Sequence, residues 1–136
     1  MIVLDTTVLV YAVGDGHPLR EPCRRLISRI GAGELAATTT VEAIQEFAHV
    51  RARRRDREDA AHLAGGYAAL LAPLLVVDAD DLHAGLDLWR STDGIGSFDA
   101  VLAAVVMRRQ HLTTLVSADR GFARVRGLKV AGPADL

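Results

Sequence analysis

An α/β fold with a parallel sheet of about four to five strands, flanked by helices on both faces, is predicted by three observations. Short runs rich in Val, Leu and Ile recur along the 136 residues. Segments with apolar residues at helical spacing separate them. Half of the residues are hydrophobic and 24% are charged, the balance of a chain that folds around a core. The length suits one domain over residues 1–136, large enough to bury roughly two-thirds of its unfolded surface without disulfides or structural metal.

The elements follow in order. Residues 2–10 form an apolar run that reads as a fully buried strand with Asp5 partway along it. Gly14, Asp15, Gly16 and Pro18 break that run. Leu26, Ile27 and Ile30 predict a helix over residues 19–30, closed by Gly31 and Gly33. Residues 35–39 read as a second strand, and Thr40 as the N-cap of a helix over 41–54 with Val41, Ile44, Phe47 and Ala48 on one face. A further helix covers 57–71, and Pro73 starts a third strand, 74–77. Asp78 to Asp81 caps a helix reaching Trp89, and Ser97 caps an alanine- and valine-rich helix over 98–109. A strand at 115–117, a turn at Asp119-Arg120-Gly121 and a strand at 128–131 complete the chain. Strands separated by helices at this spacing are βαβ units, which require parallel pairing.

Several classes are excluded. The lone Cys23 rules out a disulfide scaffold and zinc sites built on several thiolates, and fits a reducing cytoplasm. The apolar stretch 68–77, interrupted by Pro73, falls well short of the ~20 residues of a spanning helix, so no membrane association is expected. Met1 leads directly into Ile2-Val3-Leu4 with no basic leader. Aromatic residues make up only 4%, which argues against a stacking-based single-strand binder. Tyr67, Trp89 and Phe98 are therefore read as core or dimer contacts. His17, His62, His83 and His111 lack metal-ligand spacing, and His49 is read as structural or exposed.

The charges are segregated although they nearly cancel, at −1 overall. Lys129 is the only lysine, and five arginines crowd together at Arg51, Arg53, Arg54, Arg55 and Arg57. This cluster reads as a contact to an RNA backbone or an acidic protein partner, or as a solvated basic turn. Ligand sites of open α/β sheets lie beyond the carboxyl ends of the strands, and that rule gathers Asp5, Asp119, Asp99 and the pair Glu42 and Glu46 at one edge. Two unpaired carboxylates ~4 Å apart repel by roughly 4 kcal/mol at an effective dielectric of ~20. Several together need protons, basic partners or a cation, and hard oxygen donors favour Mg²⁺ or Mn²⁺. Taken singly, Asp99 suits a helix N-terminus, Asp119 a turn and Glu42 a solvated helix face. Asp5 within an apolar run is costly unless paired or metal-bound.

Four stretches carry a specific resemblance. Residues 1–12, MIVLDTTVLVYA, resemble the opening of PIN-domain nucleases; TVEAIQEF at 40–47 resembles their second acidic motif, SFDAVLAA at 97–104 the third, and LVSADRGF at 115–122 the fourth. The match runs essentially from end to end and is most similar to VapC-type toxins of toxin–antitoxin pairs. Carried over by motif, the resemblance implies that Asp5, Glu46, Asp99 and Asp119 form the catalytic quartet, with Asp5, Asp99 and Asp119 holding the metal. Glu46 is preferred to Glu42 because the family's acid stands six residues after the strand-ending hydroxyl, here Thr40, and directly before an aromatic residue or Leu. Thr6 and Ser117 are expected to support the acids from behind. Thr7 stands where relatives often have Asn or Ser, and its hydroxyl can still hydrogen-bond a carboxylate. The resemblance further implies a Mg²⁺- or Mn²⁺-dependent endoribonuclease acting in the cytoplasm, a homodimer and a cognate VapB-like antitoxin. Two other classes remain open from the residues: a receiver-like or haloacid-dehalogenase-like phosphate-transfer module, which needs a lysine near the site, and a catalytically inactive PIN-like RNA-binding module.

Overall fold

The computed structural model describes residues 1–136. Four short strands, β1 (Ile2–Leu4), β2 (Ala37–Thr38), β3 (Thr114–Val116) and β4 (Val130–Ala131), form one sheet in the order β2-β1-β3-β4, every pair parallel. Six helices pack around it: α1 (Thr6–Val13), α2 (Arg20–Gly31), α3 (Val41–Arg54), α4 (Arg57–Leu70), α5 (Ala79–Ser91) and α6 (Ser97–Arg108). Adjacent strand residues point to opposite faces, and the core divides accordingly. Leu4 and Val116 join residues of α1 to α4 in one apolar cluster, whereas Val3 and Leu115 join the buried face of α6, with Phe122 and Val125, in the other. The α/β architecture with helices on both faces is as the sequence predicts. No helix is long and apolar enough to cross a membrane.

Four local expectations are corrected. The first strand stops at Leu4, and residues 6–13 are helical, burying Val8, Leu9 and Ala12. A continuous apolar run fits a buried helix as well as a buried strand; Asp5 decides between them, because it is extended and its side chain accepts from the Thr7 backbone N–H as the N-cap of α1. The third strand at 74–77 is reduced to one bridge, in which Leu75 pairs with the Thr39–Val41 backbone. Gly96, not Ser97, is the N-cap of α6, without a side-chain bond. Val41 is 49% exposed, and Ala43 takes its place beside the expected Ile44 and Phe47 on the buried face of α3, with Ala48 partly buried. Of the three aromatics read as core or dimer contacts, Tyr67 is in the core, its hydroxyl donating to the Leu9 carbonyl, whereas Phe98 and Trp89, at 77% and 50% exposed, are left at the surface.

Two features hold α5 against α6. A Cβ on Gly85 would come within 2.6 Å of the Val101 Cα, so only glycine permits this approach. Asp81, fully buried, accepts from Arg108 and from both terminal nitrogens of Arg109, and completes a capping box with Asp78. The sequence showed the cap, whereas the two arginines come from the far end of α6.

β1 lies between β2 and β3, so the chain leaves it toward opposite sides, and the carboxyl ends of β1 and β3 border a switch in strand order. Asp5 directly follows β1, and Ser117 directly follows β3.

Candidate active site

Asp5 is only 4% exposed, and three bonds reach a single one of its oxygens. Thr7 Oγ1 donates to Oδ2 at 2.6 Å and Ser117 Oγ at 2.7 Å, with the Thr7 backbone N–H at 3.4 Å. The two hydroxyls are themselves oriented: Ser117 Oγ accepts from the Asp119 N–H at 2.8 Å, and Thr7 Oγ1 from the Ala118 N–H at 3.1 Å. The end of β1 is thus tied to the loop after β3. Thr7 fulfils by its hydroxyl the role left open by its departure from the usual Asn or Ser.

Glu46 lies one turn along α3 from the buried Ala43, at the edge of the helix's buried face, and its Oε2 accepts from Thr6 Oγ1 at 2.7 Å. Asp119 caps the 3-10 turn Arg120–Arg124 by accepting the Gly121 N–H at Oδ1, 2.8 Å away. Asp99, in the first turn of α6, takes part in no protein hydrogen bond. Partial burial, and then repulsion from Asp5, Asp119 and Glu46, push its carboxyl up to about 7. The electrostatic conflict expected from the sequence therefore falls on the one acid that nothing donates to.

Two clefts meet at these residues. One, of about 280 Å³, is lined by Asp5, Glu46, Asp99 and Asp119 together with Val10, Tyr11, Val50 and Arg54. The other, of about 290 Å³, shares Asp5, Thr6, Glu46 and Asp99 but is otherwise walled mainly by apolar residues such as Val77, Leu82, Leu86 and Phe98. Glu42 reaches only the second, whereas Glu46 borders both.

Each of the four acids keeps at least one carboxylate oxygen out of protein hydrogen bonds: Asp5 Oδ1, Glu46 Oε1, Asp119 Oδ2 and both oxygens of Asp99. As they stand, no three of the chain's acids and histidines close tightly enough to hold an ion, as mutual repulsion dictates for unneutralised carboxylates. The donor set is nevertheless entirely hard oxygen, which fits Mg²⁺ or Mn²⁺.

The PIN domain sequence profile matches residues 2–128. The chain belongs to the PIN-domain family. It is similar to Ribonuclease VapC7 of Mycobacterium tuberculosis, 52% identical over 127 residues covering 90% of this chain and 85% of that protein. Ribonuclease VapC13 of the same species is 27% identical over 129 residues, covering 95% and 98%. Among solved PIN-type structures, Mycobacterium tuberculosis VapC20, a Sarcin-Ricin loop cleaving toxin, superposes with a TM-score of 0.72 at 20% identity, covering 90% of this chain and 93% of that one. DNA-bound VapBC from Salmonella typhimurium gives 0.70 at 17% identity, covering 97% of each. These two likenesses establish the fold.

Within the PIN fold the arginine cluster disperses. Arg51, expected at the surface, has a side chain only 13% exposed, and pairs with Asp59 while donating to the Val13 carbonyl at 3.2 Å. It staples α3 to α4 and α1. Arg55 lies 3.9 Å from Asp15, Arg53 and Arg57 are exposed, and only Arg54 lines the cleft of the acids. Tyr11, Val10 and Val50 were not singled out by sequence. Reading α1 as a helix from its Asp5 cap places residues 7, 10 and 11 on the acid side and would have found them.

Proposed function

We propose that this chain is a VapC-type toxin, a Mg²⁺- or Mn²⁺-dependent endoribonuclease working in the cytoplasm under the control of a VapB-like antitoxin. The observation that carries this reading is the set of four carboxylates at one cleft, three of them strapped from behind and all with a free oxygen. Asp5, Asp99 and Asp119 would hold the ion. The chemistry supplied to these residues by a bound divalent ion would be polarisation of the phosphodiester and a lowered pKa for a water. Thr7 and Ser117 fix Asp5 Oδ2 and so aim Oδ1; Thr6 fixes Glu46 Oε2, leaving Oε1 to orient the attacking water and accept its proton. The water oxygen would form the new P–O bond as one ester P–O bond breaks, and the departing oxygen would take a proton from solvent while Glu46 returns the one it accepted. No lysine lines either cleft, which speaks against a phosphate-transfer module.

The test is cleavage of RNA by the purified protein with Mn²⁺ and with EDTA. Glu46→Gln should lower the rate by at least 100-fold and Glu42→Gln by less than three-fold, because the two carboxylates sit one turn apart, ~5.4 Å, on α3. The opposite ranking would move the catalytic acid to Glu42. Equal rates in EDTA would remove the metal from the reading.

The homodimer belongs to the same proposal. Leu82, Leu86 and Trp89 of α5 form an exposed apolar stripe at i, i+4 and i+7, continued by Phe98 of α6. A stripe of this kind, uncharged along its centre, is self-complementary across a two-fold axis. Light scattering should give twice the 14.6 kDa chain mass, and Leu86→Asp with Trp89→Asp should give the monomer. A double variant that remains dimeric would place the interface elsewhere.

A further inference from the structure

We propose that Arg54 forms, with Tyr11, Val10 and Val50, a subsite for the nucleotide adjoining the scissile bond, its guanidinium binding that nucleotide's phosphate. The inference rests on the ribonuclease reading and adds a direction to it.

Arg54 shares a cleft with four carboxylates and forms an ion pair with none of them, unlike Arg51 with Asp59 or Arg55 with Asp15. Its position accounts for this. The side chain leaves the last turn of α3 across Val50 and Val10 toward the C-terminus of α1, and a Cβ on Gly14, the C-cap residue, would lie 3.9 Å from Arg54 Nη1. A cation is favoured at a helix C-terminus, where unsatisfied carbonyls concentrate negative charge. The guanidinium is thus held toward the Gly14 end of α1, about 13 Å by helix rise from the Asp5 end. It shares the cleft of the acids without neutralising them, and its donors remain for an anion that fits its fork. Next to it Tyr11 offers a ring braced by His17, with centroids 4.3 Å apart and planes within 20°. Val10 and Val50 complete an apolar wall of a size to pack a ribose or base.

The opposite cleft has no such partner. Its lining includes Glu42, Leu82, Leu86 and Phe98, with the hydroxyls of Thr6, Thr40 and Ser97, and no arginine or lysine, so a phosphate on that side meets no cationic side chain. The backbone of a bound strand therefore continues from the acids toward Arg54. Arg53 and Arg57 point to neither cleft and contribute only long-range attraction.

The test compares wild type, Arg54→Ala, Arg54→Lys and Arg53→Ala. Binding of a fluorescent single-stranded RNA is followed by anisotropy across a salt series in EDTA, where cleavage is stopped, and cleavage of the same RNA is then measured with Mn²⁺. Arg54→Ala is expected to weaken binding about ten-fold and to lower the log–log salt slope by roughly 0.7, one phosphate contact on a single strand. Its KM should rise with kcat within three-fold of wild type. Arg54→Lys should keep the slope and lose part of the affinity, since an ammonium lacks the fork; Arg53→Ala should stay within two-fold. An unchanged slope and KM in Arg54→Ala, with circular dichroism matching wild type, would overturn the subsite and leave the nuclease reading standing. Arg54-dependent binding without metal-dependent cleavage in wild type would sustain the subsite and overturn the nuclease reading.

Discussion

Replacing Asp99 by asparagine is expected to abolish RNA cleavage while raising the melting temperature of the metal-free protein. Asp99 is the acid on which burial and the charges of Asp5, Asp119 and Glu46 act together, pushing its carboxyl up to about 7. In the unfolded chain an aspartate titrates near ~3.9, so between these values the folded state holds a proton that the unfolded state has released. Stability therefore falls as pH rises through this window, and the penalty is full above about 7. Asparagine removes the charge and keeps the shape. The gain in melting temperature over wild type should be largest at pH 8, by convention a point above the window, and should vanish toward its acidic end. Adding Mn²⁺ should raise the wild-type melting temperature and leave the variant almost unmoved. A variant that melts lower and still cleaves would make Asp99 a structural cap of α6, and the quartet would lose a member.

The largest loss of stability is expected from Asp81→Ala. Burial alone would push this carboxyl up, but Arg109, the Asp78 backbone N–H and Arg108 together hold it below the usual aspartate range. Removing it leaves two guanidinium groups facing a fully buried position, a loss of about 3–5 kcal/mol when one partner of a buried pair is deleted. The lower end is expected here because Arg108 and Arg109 keep 38% and 22% of their side-chain surface exposed and can rehydrate. Since the folded carboxyl is depressed, its contribution is complete above the unfolded value and is lost as pH falls through the folded one. Urea unfolding at neutral pH and at pH ~3 checks both statements: the variant should be clearly weaker at neutral pH, with the difference shrinking in acid. Equal midpoints at neutral pH would show that α5 and α6 are held by apolar packing and the Gly85–Val101 approach alone.

What the sequence made legible follows from the range of the interactions involved. Helices α3 and α5 are announced by local chemistry: Thr40 accepts from the Ala43 N–H, and Asp78 and Asp81 cap each other. Asp99 and Asp119 are legible because each stands at an element boundary that the hydrophobic pattern fixes. Asp5 stands out as an ionised group in an apolar run, and Glu46, inside α3, only by its motif. α1 was misread because Val8, Leu9 and Val10 carry no phase of their own, and the deciding bond, Thr7 N–H to Asp5, looks like an ordinary turn. The loss of the strand at 74–77 has a similar origin: its one bridge is to Thr40, already at the end of β2's side of the sheet. Pairings such as Arg109 with Asp81 and Thr6 with Glu46 join residues 28 and 40 apart in the chain, and no local pattern encodes them. Arg54 was legible as a charge but not as the one arginine of its cluster that borders the acids.

The central place of β1 also bears on when the acids can meet during synthesis. During synthesis β3 follows its neighbour β1 by more than a hundred residues, as the 112-residue separation of Asp5 from Ser117 measures. Until then one edge of β1 has no strand to pair with, and Asp5 lacks the hydroxyl that aims it. Pairings this remote in the chain form late, because the entropy of closing so long a loop precedes any contact that rewards it. A nascent chain can carry Asp5, Glu46 and Asp99 in full and still have no assembled cluster, because the Ser117 hydroxyl that holds Asp5 and the Asp119 carboxylate arrive only with β3 and the turn after it.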